Sequence, residues 1–137
     1  MIDTLLAGCT FRIPFDFEDG NGPVKKYFVF LGIFQGAAIS LKATTQIDRY
    51  GPSPSSFPGV VFLPAPIGPF TKPTIIDPSN GFAMDEPRLK RHYERSEMDV
   101  WPPIEGLLQN IYDALPLHRS LVKKRREGYM KVIRESL

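Results

Sequence analysis

Nine of the chain's fourteen prolines lie between Pro52 and Pro87. Proline fixes φ and carries no N–H, so it neither donates to a strand ladder nor continues a helix. The stretch is therefore expected to hold no long regular element, only short strands joined by ordered loops. It is not of low complexity, because Val60, Val61, Phe62, Leu63, Phe70, Ile75 and Ile76 supply core candidates. It also separates two unlike compositions. Residues 1–80 carry six Lys/Arg and six Asp/Glu, whereas residues 81–137 carry 11 and 9. The first part is charge-poor and the second charge-dense, within 137 residues that fit a single domain.

Ahead of the prolines the pattern is that of strands. Thr10 to Phe17 alternates, placing Phe11, Ile13, Phe15 and Phe17 on one face. Glu18-Asp19-Gly20-Asn21-Gly22-Pro23 has the composition of a turn. Lys26 to Leu31 is an almost unbroken apolar run, as expected of a strand buried on both faces. Gln35-Gly36 then turns the chain into a strand carrying Ile39 and Leu41. The short spacing predicts an antiparallel meander. A hairpin centred near Gly32–Gly36 pairs residue i with roughly 69 − i if the turn is tight, which sets Lys26 opposite about Ala43. The predicted core includes Phe11, Ile13, Phe28, Phe30, Ile39 and Leu41.

Behind the prolines the pattern is helical. Ile104, Leu107, Leu108, Ile111, Tyr112 and Leu115 recur at the spacing of one buried helix face. Pro102 and Pro103 suit its first turn, and Pro116 ends it. A second helix follows through Leu121, Val122, Tyr129, Val132 and Ile133, weakened at Gly128 by about 1 kcal/mol relative to Ala. Arg88 to Arg95 reads as a short charged turn or helix. The predicted fold is mostly β with C-terminal helices: a small antiparallel barrel of five to seven strands (residues 1–80), with one or two helices from a charged, helix-rich part (residues 81–137) packed on it.

Several function classes are excluded by residue counts. One cysteine, Cys9, allows neither an intramolecular disulfide nor a cysteine metal cluster. Two histidines, His92 and His118, do not make a His-rich metal site, and both fall in charged segments expected to be exposed. A net charge of +2 does not by itself announce nucleic-acid binding. No apolar run is long enough to span a membrane, and no signal peptide is evident, so a cytoplasmic protein is expected. The phosphate-binding loop, dinucleotide fingerprint, zinc-protease and serine-hydrolase motifs are all missing.

The remaining signal is an ordered set. Gly8 precedes a strand reading Ile13-Pro14-Phe15-Asp16-Phe17, followed by an acidic Gly-rich loop, a basic pair, the apolar strand Tyr27–Leu31 and a strand ending in Thr44-Thr45-Gln46. Lys72-Pro73-Thr74-Ile75-Ile76 follows as a later basic-Pro-hydroxyl strand. Over about residues 5–80 this resembles the PemK/MazF family of toxin ribonucleases, whose SH3-like barrel is shared with the CcdB gyrase poisons. The resemblance implies metal-independent, cofactor-free RNA cleavage in a toxin–antitoxin system, an antitoxin partner and a homodimer. Cys9 stands where the family prefers an acid, and Lys26-Tyr27 replaces its Arg-Pro pair, whose arginine is a presumed catalytic residue.

RNA cleavage by the 2′-hydroxyl needs proton transfer at two oxygens and positive charge where the phosphorane becomes negative. The resemblance assigns the catalytic roles to Lys26 and Thr44, and RNA or phosphate contacts to Lys25, Thr45 and Gln46. Arg12 alternates away from Phe11 and Ile13, and on a concave barrel surface it becomes a phosphate contact. Other readings stand beside these. Lysines at a strand edge also block unwanted strand pairing, and threonine is common in strands on propensity alone. The whole module is then a non-catalytic barrel that binds a protein partner, or a CcdB-like poison of a topoisomerase.

Overall fold

In the computed structural model, which describes residues 5–15 and 24–137, the apolar run of the second strand has core on both sides. Strands β1 (Thr10–Phe15), β2 (Val24–Phe34), β3 (Ala37–Thr44), β4 (Val61–Leu63), β5 (Thr74–Asp85) and β6 (Asp99–Trp101) form one antiparallel sheet ordered β4-β5-β3-β2-β1-β6. It curls into a half-barrel. Among the described residues three α-helices accompany it: α1 (Glu86–Glu94), α2 (Leu107–Ala114) and α3 (Lys123–Arg134). The architecture is mixed β and α, and two of its strands extend or lie beyond residue 80. None of these helices is long and apolar enough to cross a membrane. Phe17 and the loop around Glu18 and Asp19 fall outside the described residues.

Successive side chains of a strand point to opposite faces. In β2 this sends Phe28 and Phe30 into one core with Phe11, Ile13, Cys9 and Leu89 of α1. Val29 and Leu31 enter the other, with Leu41, Ile76, Leu107 and Ile111 of α2 and Val132 and Ile133 of α3. All six predicted core residues are buried, divided between these two layers. The β2–β3 hairpin closes through Gln35 and Gly36, both at positive φ (51° and 77°), the two-residue turn that matches strand twist. The register beyond it differs from the expected one. Phe28 pairs Lys42 and Phe30 pairs Ser40, and a bulge between Phe30 and Gly32 inserts one residue into β2. Continuing that register sets Thr44, not Ala43, across from Lys26.

The expectation of only short elements among the prolines is corrected at β5, a 12-residue strand that contains Pro78. The strand survives because its ladder is interrupted there. Leu41 pairs Gly81 and Ala43 pairs Ile76, so the single residue Lys42 faces residues 77–80 across a wide bulge. A bulge is one of the few places within a sheet that tolerates proline.

The bulge carries Asp77, which is buried and anchors the C-terminal region. Asp77 Oδ2 accepts from the Tyr50 hydroxyl at 2.7 Å, and Oδ1 accepts from the Ser79 N–H at 2.9 Å. His118 Nε2 lies 2.8 Å from the same Oδ1. His118 Nδ1 accepts from the Leu121 N–H at 3.1 Å, so the proton sits on Nε2 and is donated to Asp77. Burial alone pushes the Asp77 carboxyl up, but the bonds from Ser79, Tyr50 and His118 outweigh it and hold the pKa below the ordinary value. Burial, then the bond to Asp77, push the Tyr50 phenol well above its usual range. His118 is thus buried rather than exposed as its charged neighbourhood suggested. Gly59 packs flat on it: a Cβ there would fall 2.3 Å from His118 Cα.

The helix expected from Pro103 starts four residues later, at Leu107. Gly106, at φ 78°, turns the backbone out of the helical path and so fixes the start. Leu107, Ile111 and Leu115 are buried, whereas Ile104 and Leu108 are half-buried. The second predicted helix is α3, with Tyr129, Val132 and Ile133 buried, but it begins at Lys123, so Leu121 and Val122 precede it and Val122 is exposed.

Candidate functional site

At the end of the β2–β3 ladder farthest from the hairpin, the sheet opens into a pocket of about 260 Å³. Its walls are Lys25, Lys26 and Tyr27 from β2, Lys42 to Gln46 from β3 and the segment after it, and Pro69 to Lys72 with Thr74 from the approach to β5. Four lysines and four threonines line it, and no Asp or Glu does among the described residues. The arrangement follows from the pairing. β2 enters the sheet where β3 leaves it, so the basic pair and the Thr-Thr-Gln element meet, and the loop before β5 closes the third side.

The electrostatics are those of an anion site. Lys42 is pushed below its ordinary pKa by burial first, and then by the like charges of Lys26 and Arg49. The like charges of Lys26 and Arg49 around Lys42 favour a bound anion, which relieves the repulsion on it. Thr44 Oγ1 accepts the Gln46 N–H at 3.1 Å, which fixes its oxygen and leaves its own O–H to donate. Thr74 Oγ1 donates to the Lys72 carbonyl at 2.9 Å and so shapes the loop that presents Lys72.

Five of the six residues singled out in the sequence line this one pocket: Lys25, Lys26, Thr44, Thr45 and Gln46. Arg12 does not. Its Nε and Nη2 donate to Asp99 Oδ2 at 3.0 and 2.6 Å, and Nη1 lies 3.3 Å from the Tyr27 hydroxyl. The guanidinium rests 5.6 and 5.8 Å from the ring centres of Tyr27 and Trp101. Arg12 therefore backs Tyr27, whose ring forms part of the pocket wall. The bond to Asp99 holds its pKa above the usual arginine value.

Lys42 and Lys72 went unnoticed as site residues. Lys42 had a readable signal, a lone cation inside an otherwise apolar and small-residue strand. Lys72 lay in a segment matched for its strand pattern rather than its charge.

A second constellation has the residue types of a hydrolase triad, with Ser120 Oγ 3.5 Å from His118 Nδ1 and Asp77 on the other ring nitrogen. It does not activate the serine. Nδ1 already accepts the backbone N–H groups of Ser120 and Leu121, at 3.3 and 3.1 Å, and has no lone pair left to serve as a base.

No protein-family model matches the chain, and no curated protein matches it in sequence.

Proposed function

We propose that the lysine–threonine pocket binds the phosphodiester backbone of RNA, and that the protein is a metal-independent endoribonuclease of the PemK/MazF toxin kind. The observation that carries this reading is the meeting of Lys26, Lys42 and Thr44 in one pocket that no Asp or Glu lines among the described residues. In the reaction the RNA 2′-hydroxyl loses its proton and attacks the adjacent phosphorus. The 5′-oxygen leaves with a proton and a cyclic phosphate remains. Lys26 supplies charge to the phosphorane, and the Thr44 hydroxyl orients a non-bridging oxygen. Lys42, which lines the same pocket, adds a second positive charge to the phosphate site. The reading carries with it an SH3-like barrel, action in the cytoplasm, a homodimer and an antitoxin that holds the enzyme inactive.

One observation favours a second reading, a module that binds without cleaving. Arg12, which backs the pocket wall at Tyr27, is engaged by Asp99, and every cation lining the pocket among the described residues is a lysine. Lysine grips phosphate as a point charge, without the bidentate fork of arginine.

Labelled RNA incubated with the protein in EDTA separates the two. Cleavage by wild type, abolished in folded Lys26→Ala, Lys42→Ala and Thr44→Ala, supports the nuclease. RNA binding without cleavage, weakened by the lysine substitutions, supports the binding module. Neither binding nor cleavage rejects both.

A further inference from the structure

A groove of about 310 Å³ runs between α3 and the tip of the β2–β3 hairpin, remote in the fold from the lysine pocket. Its interior is apolar. Phe34 and Ile39 form the hairpin wall, and Tyr129 and Val132 form the helix wall. Phe34 is 43% exposed, and its ladder partner Ala37 is half-buried. Lys124 and Arg125 stand at the rim.

Two features of α3 run against helix stability and are intelligible together. Gly128 sits in the helix interior, where glycine is disfavoured by about 1 kcal/mol relative to Ala. Neither close packing nor a left-handed backbone requires it, because a Cβ there would meet nothing within 4 Å. What glycine does here is keep the floor of the groove open. The first turn of α3 carries Lys123, Lys124 and Arg125 and no acid, the charge opposite to the one the helix dipole favours at that end. Arg126 is used internally, donating to the His118 and Leu121 carbonyls at 2.9 and 3.1 Å. Lys123 approaches Glu127 at 3.9 Å. Arg125 is held in place over the Tyr129 ring and donates to the Gly81 carbonyl at 3.1 Å. The result is a cationic rim over an open apolar floor.

We propose that this groove docks an acidic segment of a partner protein, seating one or two of its apolar side chains over Gly128 while its carboxylates pair with Lys124 and Arg125. Charge selects this occupant over two others. A second copy of this chain, docked through the same face about a two-fold axis, would bring the basic turn of α3 against itself. A nucleic acid would satisfy the rim but leave the apolar floor unfilled.

The test is fluorescence anisotropy on the full chain. The probe is a fluorescein-labelled peptide of about ten residues, with a central Leu-Phe pair flanked by Glu. The controls replace Glu by Lys, or Leu-Phe by Ala-Ala. Wild type is expected to bind the probe and neither control. Gly128→Leu fills the floor with a better helix former, so the protein stays folded by circular dichroism while affinity falls at least about tenfold, the loss of about 1.4 kcal/mol. Lys124→Glu with Arg125→Glu abolishes binding, and added salt weakens it in wild type. No binding of the probe, equal binding of the Lys control, or unchanged affinity in Gly128→Leu overturns the proposal. So does self-association in sedimentation that Gly128→Leu abolishes, or RNA binding that depends on Lys124 and Arg125. None of these readouts involves the lysine pocket, so failure here leaves the nuclease reading standing, and the reverse holds as well.

Discussion

Replacing His118 by Ala removes the tie between the β5 bulge and the helical C-terminal region, and its cost is set by two losses. The Nε2–H bond to ionised Asp77, 2.8 Å long and buried, belongs to the class of hydrogen bonds to charged groups, worth about 1.5–3 kcal/mol. The N–H of buried Leu121, which now donates to Nδ1, is left without an acceptor at a further cost of about 1–3 kcal/mol. Together we expect His118→Ala to destabilise by about 4 kcal/mol, a large share of the roughly 5–15 kcal/mol of a typical domain. Urea titration followed by Trp101 fluorescence and far-ultraviolet circular dichroism measures it. Ser120→Ala is the control: its hydroxyl is 3.5 Å from Nδ1 on an exposed residue, and its removal is expected to cost less than about 0.5 kcal/mol. The pH dependence gives a second reading of the same network. Asp77 has its folded pKa below the ordinary 3.8, so its contribution is full above that value and is lost as the pH falls through the folded pKa. The stability difference between wild type and Asp77→Asn is therefore expected to hold steady near neutrality and to shrink on acidification below 3.8. A His118→Ala cost below about 1 kcal/mol, or a difference that grows on acidification, would refute this account.

Two further outcomes follow from buried groups. Burial pushes the Cys9 thiol up to about 11, so the native protein is expected to resist thiol reagents around pH 8 and to react fully once unfolded; rapid native labelling would contradict its burial. Thr10 is buried with its hydroxyl unpartnered among the described residues, so Thr10→Val is expected to leave stability unchanged or to raise it by up to about 1 kcal/mol in urea titration.

Period-two and helical patterns made most of the fold legible. Phe28 to Leu31 announced a strand with core on both faces, and Tyr129, Val132 and Ile133 announced the face of α3. What escaped was set by contacts between distant segments. Nothing local in Asp77-Pro78-Ser79-Asn80 says that a strand continues past the proline, because the bulge exists only through its partner β3. Nothing near His118 foretells burial, because the acceptor lies 41 residues earlier. The start of α2 was readable but misread: Gly106 outweighed the two prolines. In the pocket, Lys26 and Thr44 come together through hairpin pairing, which sequence spacing captured to within one residue. Arg12 went elsewhere because Asp99, far along the chain, sits on the neighbouring strand.

The pairing of β1 with β6 bears on synthesis. Arg12 lies opposite Asp99, 87 residues later. At roughly 5–20 residues per second, a ribosome takes on the order of 4–17 s to make the chain between them. Through that interval β1 can pair with β2 on one side, while its other edge offers bare N–H and C=O groups to any strand nearby. Slower translation of the intervening segment lengthens that exposure, so synonymous codon choice there is expected to alter the yield of soluble protein without changing a single residue.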